Sequence, residues 1–323
     1  MREAIFCDDF TDPPTLRIAQ LPPADLKPDQ VRVDVSAAGL NFPDYLMVSG
    51  GYQKRPPTPF VPGFECAGVV TEIGSAVQDI TLGTRVIVLR PLDAACLASE
   101  VIACRRHVHL LPASIELPEA AAFGVAYATA HYSLHRIARL QPGERVLVIG
   151  AGGGVGAAAV QLAKAARAMV VAMDRGVKRL SAAAEFGADI TIDGTDAARL
   201  KSLNGVDVVV DLVGGDPFRA ALRTVKVGGR VLVIGFASGT IPTLETNYLL
   251  LKEFGVFGVN FGNFSERDPA TTAAIVAECL KLRADGRIAP PRLDIRKVEN
   301  VAEALHELGQ GKVHGKLVVQ FRE

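Results

Sequence analysis

The amino-acid sequence predicts an α/β protein in which a doubly wound parallel sheet is joined to a second, β-rich domain. Three observations carry this. The first third of the chain holds short runs that alternate apolar and polar residues, strand-like and helix-like runs alternate beyond Pro118, and one strand-to-helix junction is built almost wholly of glycine. The length of 323 residues suits two domains, at a prior of roughly 150 residues per domain. With 49% hydrophobic residues the chain can bury a substantial core.

In the first third, "QVRVDVSAAGL" has the period of a half-buried strand, and "GVVTEIG" and "GTRVIVL" are further strands punctuated by glycine. The prolines of "KRPPTPFVP" make an extended, turn-rich loop. Beyond Pro118, "ERVLVIG", "AMVVAM", "ITI", "VDVVVDLV" and "GRVLVIGF" are predicted strands. Between them lie predicted helices over "GAAAVQLAKAA", "VKRLSAAAEFG", which Gly187 stops, and "DPFRAALRTV". Near-continuous Val/Ile/Leu runs suit a parallel sheet covered on both faces, and repeated strand–helix–strand units imply double winding. From about Arg267 an amphipathic helix, "PATTAAIVAECLKLRADG", precedes "VENVAEALHELGQG" and a closing strand, "KLVVQF".

Lysine plus arginine count 35 and aspartate plus glutamate count 35, so no global field draws in nucleic acid or an anionic membrane, and any phosphate site must be local. Five scattered cysteines without a CxxC fit reduced thiols and a cytoplasmic protein. The opening "MREAIFCDDF" places acids directly after a very short apolar run, which does not suit a signal peptide. The uncharged stretch from Val146 to Ala163 has the length of a membrane span, but its glycine cluster splits it into a strand, a turn and a buried helix.

The glycine junction is "VLVIGAGGGVGAAAVQLAKAA". Gly150, Gly153 and Gly156 follow a G-x-x-G-x-x-G spacing, with Gly152, Gly154 and Val155 between them. Residues without a β-carbon permit the tight turn and let backbone amides approach a pyrophosphate at a helix N-terminus, so a dinucleotide is predicted here. The second strand ends in Asp174, about the expected ~20 residues on. A carboxylate at that place accepts from the adenosine ribose and favours NAD. Arg175 and Arg179 offer guanidinium partners for the extra phosphate of NADP, or else form a solvated helix face.

The glycine loop, "AAGLNFPDYLMVSGGY", "PFVPGFECAGVV", "GVDVVVDLVGG", "GRVLVIGFASG" and the closing "HGKLVV" together resemble the medium-chain dehydrogenase/reductase superfamily, and within it the zeta-crystallin-type quinone oxidoreductases. The resemblance implies a GroES-like catalytic domain over residues 1–122, to which 266–323 return. It implies a Rossmann domain over 123–265, an active site in the cleft, and a homodimer. Zinc-containing relatives take metal ligands at the places of Asn41 and Phe64, neither of which supplies a thiolate or imidazole here, so a metal-free site is implied. The pairs His131/His135 in "HYSLH" and His107/His109 with Cys104 in "CRRHVH" read as packed or surface residues, not ligands.

The resemblance further implies that Asn41 hydrogen-bonds cofactor or substrate and that Thr129 approaches the nicotinamide. Val213 and, at the mouth of the cleft, Ile234, Gly235 and Phe236 would contact the cofactor, and Asn260, Gly262 and Lys316 would belong to cofactor-contacting segments. Tyr45 and Tyr52 are the catalytic candidates beside Asn41, each able to stack on an acceptor, donate a hydrogen bond, or fill the cleft wall. The chain departs from the family pattern at "CLASE", at Gly124, and at Asp174 and Arg175.

Without a Lewis acid, alcohol oxidation loses its activator, whereas an electron-poor acceptor takes a hydride with less help. The expectation is an NAD(P)H-dependent quinone reductase, with NADP(H) favoured and NAD(H) admitted. The alternatives are an enal or enoyl-thioester reductase, and an NADPH-binding protein with little turnover.

Overall fold

The computed structural model describes residues 2–90, 95–203 and 205–322. The chain forms two compact units, one of Met1–Val125, Gly262–Asp285 and Pro290–Glu323, the other of Ala126–Phe261 and Gly286–Ala289.

The second unit is built on a six-stranded parallel sheet. Its strands, numbered along the chain, are β1 (Arg145–Ile149), β2 (Met169–Asp174), β3 (Ile190–Asp193), β4 (Val206–Asp211), β5 (Val225–Val233) and β6 (Gly255–Gly258). They lie in the order β3-β2-β1-β4-β5-β6, the arrangement of a Rossmann fold, whose direction reverses between β1 and β4. Val146–Val148, Val170–Ala172 and Val208–Val210 are fully buried, which explains why these strands lack an apolar/polar alternation. Ile149 pairs with both Met173 and Asp211, and Asp211 pairs with Val233. The residues that follow, Gly150, Asp174, Leu212 and Ile234, therefore stand along the carboxyl edge of the sheet.

One element of this unit was not legible in the sequence. The helix Gly124–His131 runs on into a π-helical stretch, Tyr132–Ile137, and across the junction the ring centroids of His131 and His135 lie 4.5 Å apart.

The first unit centres on the strand Gln30–Gly39. It pairs antiparallel with Glu65–Ile73, with Glu100–Cys104 and with Lys316–Gln320. Arg85–Leu89 and Val108–Leu110 extend the sheet beyond Glu65–Ile73, and Leu293–Lys297 extends it beyond Lys316–Gln320. Its core joins Val31, Val33, Val35, Cys66, Val70, Val86, Leu317 and Val319. The helix Pro269–Ala284 buries Thr272, Ile275, Val276, Cys279 and Leu280, the recurrence of an amphipathic helix with one face inward. Among the described residues, no helix is long and apolar enough to cross a membrane.

Candidate active site

In the second unit the carboxyl edge of the sheet forms a cradle. Gly150 adopts φ +84°, a left-handed conformation that glycine takes without strain. The helix Gly154–Ala165 starts directly after the turn, capped by Gly153, and the first amides of any helix have no partner within it. A β-carbon on Gly156 would lie 2.0 Å from the Gly150 carbonyl oxygen, so the helix approaches the turn as closely as backbone allows. Val213, in the loop after β4, closes the other side, its Cγ2 3.0 Å from where a Gly150 β-carbon would be. The cradle therefore fits a dinucleotide pyrophosphate by backbone shape and by amide direction.

Asp174 is buried beside this turn. Its Oδ2 accepts from the Gly152 amide at 2.7 Å and its Oδ1 from the Arg175 amide at 2.7 Å. Arg179 pairs with the same Oδ1 at 3.5 Å, and its stem packs where a Gly152 β-carbon would go. The carboxylate thus braces the loop and carries a guanidinium partner, while Arg175 is exposed.

Asp211 braces the neighbouring loop. Its Oδ1 accepts from the amides of Val213 (3.1 Å) and Gly214 (3.0 Å), its Oδ2 has no hydrogen-bond partner among the described residues, and burial raises its pKa. Ile234, Gly235 and Phe236 follow β5, and the Phe236 carbonyl turns back to the Gly239 amide at 2.8 Å. Asn260 is exposed beyond β6. Thr129 is buried on Gly124–His131, its carbonyl accepting from Ser133 Oγ at 2.6 Å.

In the first unit, sheet register assembles a polar cluster. Val318 stands opposite Gly39, and the Leu40 amide donates to the Leu317 carbonyl at 3.0 Å, so the antiparallel pairing brings Lys316 to Asn41. Glu65 pairs with Gly39 on the other side. Lys316 Nζ donates to Asn41 Oδ1 (2.6 Å), Glu65 Oε1 (2.6 Å) and the Leu40 carbonyl (3.0 Å). Asn41 Nδ2 donates to Glu65 Oε1 at 2.9 Å, and Glu65 Oε2 accepts from the Val125 amide at 2.8 Å. All three ammonium donors of Lys316 are engaged within the unit.

Asn41 also caps the short helix Phe42–Val48, where Asp44 Oδ2 accepts from the Asn41 amide at 2.7 Å. Asp44 is fully buried and its Oδ1 has no hydrogen-bond partner among the described residues. Burial is the main cause that pushes its pKa up to about 7. The two tyrosines part company. Tyr52 is half-buried and packs on Phe64, with ring centroids 5.7 Å apart, beside Met47. Its pKa is raised by burial and then by the Asp44 charge. Tyr45 instead lies against Gly309 and donates its hydroxyl to Asp12 at 2.9 Å. Gly262, in the same unit, accepts from Ser265 Oγ through its carbonyl at 2.8 Å.

Residues 27–132 match the family model of the alcohol dehydrogenase GroES-like domain, and residues 154–278 match that of the zinc-binding dehydrogenases. Quinone oxidoreductase-like protein 2 of Mus musculus is 33% identical over 326 residues, covering 99% of this chain and 92% of the relative.

The chain belongs to the medium-chain dehydrogenase/reductase family. It is an oxidoreductase of that family, with the GroES-like and Rossmann folds. A quinone oxidoreductase of Pseudomonas syringae pv. tomato superposes with a TM-score of 0.91 at 27% identity, covering 99% of this chain and all of the other (100%). A mycobacterial protein solved in complex with NADPH superposes with a TM-score of 0.91 at 25% identity, covering 99% of this chain and 100% of that one.

For a medium-chain dehydrogenase/reductase the donor set in the first unit does not fit zinc. Phe64 is a hydrocarbon ring packed on Tyr52, and Asn41 is an amide already bonded to an ammonium and a carboxylate. Among the described residues no group of three or more His, Cys, Asp or Glu side chains could hold a metal ion. His109 is buried in a strand, and burial, then the Arg105 and His107 charges, push its pKa down to about 4. His107 accepts from Arg106 Nε at 3.0 Å.

Sequence reasoning left Glu65, Asp44 and Asp211 unassigned. Each carried a signal, since a lone acid at the edge of an apolar run ("FECAGVV", "VDVVVDLV") or within "NFPDYLMV" must be partnered once buried.

Proposed function

We propose that this oxidoreductase reduces quinone-like acceptors with NADPH, without a metal. The observation that carries the reading is the Lys316–Asn41–Glu65 cluster, in which Asn41, at a place where the resemblance puts a metal ligand of zinc-type relatives, is an amide bonded to an ammonium and a carboxylate. A quinone is already electron-poor, so orientation against an apolar wall suffices for it. The half-buried Tyr52, backed by the buried Phe64 and Met47, is the candidate for such a wall. When bound, the reduced nicotinamide supplies the hydride, and a proton completes the hydroquinone. The resemblance to a quinone oxidoreductase-like protein at 33% identity and to a quinone oxidoreductase at 27% supports this acceptor class.

NADPH and NADH oxidation followed against quinones, enals, crotonyl-CoA and ethanol tests the reading. Quinones are expected to be turned over and ethanol not, elemental analysis to find no stoichiometric zinc, and chelators to leave the rate unchanged. Brisk ethanol oxidation, or one tightly held zinc per subunit, sinks it. A second reading, reduction of an enal or enoyl thioester, draws on Tyr52, whose hydroxyl makes no hydrogen bond among the described residues. Under that reading Tyr52→Phe slows enals more than quinones.

The preference for NADPH rests on the Arg179–Asp174 pair, which offsets the charge that would repel a ribose phosphate, and on the exposed Arg175. A charge-assisted hydrogen bond contributes about 1.5–3 kcal/mol. Replacing both arginines by alanine is therefore expected to weaken NADPH binding by roughly 10- to 100-fold and to spare NADH. An unchanged ratio of the two affinities would mean that neither arginine engages the ribose phosphate.

A further inference from the structure

Arg175 does not stand alone at the carboxyl edge of the parallel sheet. β2 and β3 pair with Asp193 opposite Asp174, and the Gly194 amide donates to the Asp174 carbonyl at 2.9 Å. A β-carbon on Gly194 would lie 3.6 Å from Arg175 Cγ, so the arginine stem runs past the turn that follows β3. In that turn Asp193 Oδ1 accepts from Thr195 Oγ1 at 2.7 Å and from the Thr195 amide at 3.0 Å. These bonds hold the Asp193 carboxyl below the usual carboxylate range, and the Gly176 amide and the Arg175 charge lower it further. Asp193 is therefore an anion at neutral pH. Gly176, at φ +84°, opens the helix Val177–Glu185, whose first turn carries no acid and holds Lys178 and Arg179. The Gly176 amide and the Arg175 guanidinium, both suited to a phosphate, thus already face a carboxylate from the neighbouring strand. Arg179 meets Asp174 in the same way.

We propose that Asp193 is a specificity-determining residue, a built-in anion beside Arg175 that competes with the 2′-phosphate of the dinucleotide and so limits the advantage of NADPH over NADH. The inference rests on the dinucleotide reading above and refines it, since each of the two arginines meets a carboxylate before any phosphate arrives. A phosphate must share Arg175 with Asp193 and lie close to its charge. The 2′-hydroxyl of NADH carries no charge and escapes that cost. No spacing in the sequence points to Asp193, because only the parallel register of β3 with β2 brings it to Arg175.

Asp193→Asn removes the charge and keeps an oxygen that can accept from Thr195 and Gly176. Asp193→Ser, which also drops the charge, serves where the first variant fails to fold. Calorimetry measures affinity for NADPH, NADH, 2′,5′-ADP and 5′-AMP, the last pair differing only in the 2′-phosphate. Affinity for NADPH and for 2′,5′-ADP is expected to rise about three- to fivefold, the scale of a partly exposed charge pair. Affinity for NADH and for 5′-AMP is expected to stay within about twofold of wild type, because the glycine cradle is untouched. The gain should shrink between about 0.05 and 0.5 M salt, since exposed charges are screened. It should also largely vanish when Arg175→Ala is added, because both residues act on one phosphate. A merely structural role for Asp193 would move all the ligands alike and would show neither dependence. Unchanged or weaker affinity for NADPH and 2′,5′-ADP in the folded variant overturns the proposal, as does a gain that Arg175→Ala leaves intact. A wild type that prefers NADH overturns the NADPH preference alone, and the gain in the variant still decides Asp193. A wild type that binds neither the dinucleotides nor their fragments overturns both.

Discussion

Gly156→Ala is expected to weaken dinucleotide binding on the order of 100-fold, equivalent to about 2.8 kcal/mol, and to destabilise the protein by about 1–3 kcal/mol. The added methyl would sit 2.0 Å from the Gly150 carbonyl oxygen and 2.8 Å from Ala151 Cα, so backbone must give way. No rotamer relieves a β-carbon clash. The helix N-terminus moves off the turn, and the amides of Gly154, Val155 and Gly156 lose their common aim at a phosphate. Gly153→Ala in the same loop is the control. Its β-carbon would meet only the Gly150 carbonyl, at an ordinary 3.5 Å, so the melting temperature should hold. Calorimetric titration with NADPH alongside thermal unfolding separates the two variants. Equal loss of stability in both would mean that the cradle tolerates helix displacement and that the close approach at Gly156 is incidental.

What could be read from the sequence follows the reach of each signal. The Rossmann unit was legible because its strands are buried on both faces and its turn needs glycine, and both demands are written in contiguous residues such as "VLVIGAGGGVG". The polar cluster was legible only in part. Asn41 and Lys316 are 275 positions apart, and only the antiparallel register of Gln30–Gly39 with Lys316–Gln320 brings them together. Nothing local in "HGKLVV" says that the lysine is enclosed by Leu40, Asn41 and Glu65 and has no donor left for a phosphate. The tyrosines show the same limit. Tyr45 and Tyr52 lie on one segment, yet one faces Asp12 and Gly309 and the other packs on Phe64. Side-chain direction around Phe42–Val48 is set by what packs against it, which spacing does not disclose. The π-helical Tyr132–Ile137 leaves no pattern distinct from an α-helix.

Asp44 makes the stability of the protein depend on pH in a direction opposite to that of most carboxylates. Its side chain is enclosed, with one oxygen on the Asn41 amide and the other without a hydrogen-bond partner among the described residues. Burial raises its pKa from 3.8 to about 7; the Glu65 charge adds to the rise, while the Asn41 hydrogen bonds and the Lys316 charge oppose it. Below pH 3.8 both the folded and the unfolded chain hold this proton, and Asp44 confers no slope. Between that value and about 7 the folded protein keeps a proton that the unfolded chain has lost, so stability falls as pH rises. The full span corresponds to about 4 kcal/mol, from 1.36 kcal/mol per pKa unit. Asn at position 44 can accept from the Asn41 amide and never ionises. The stability advantage of wild type over Asp44→Asn should therefore shrink by about 4 kcal/mol between pH 4 and pH 8. Titrations common to both proteins cancel in that difference. In thermal unfolding the gap in melting temperature should close or reverse by on the order of 10 °C. A gap that stays constant across this range would mean that Asp44 is already ionised in the folded protein at pH 4, and that the Lys316 ammonium outweighs its burial.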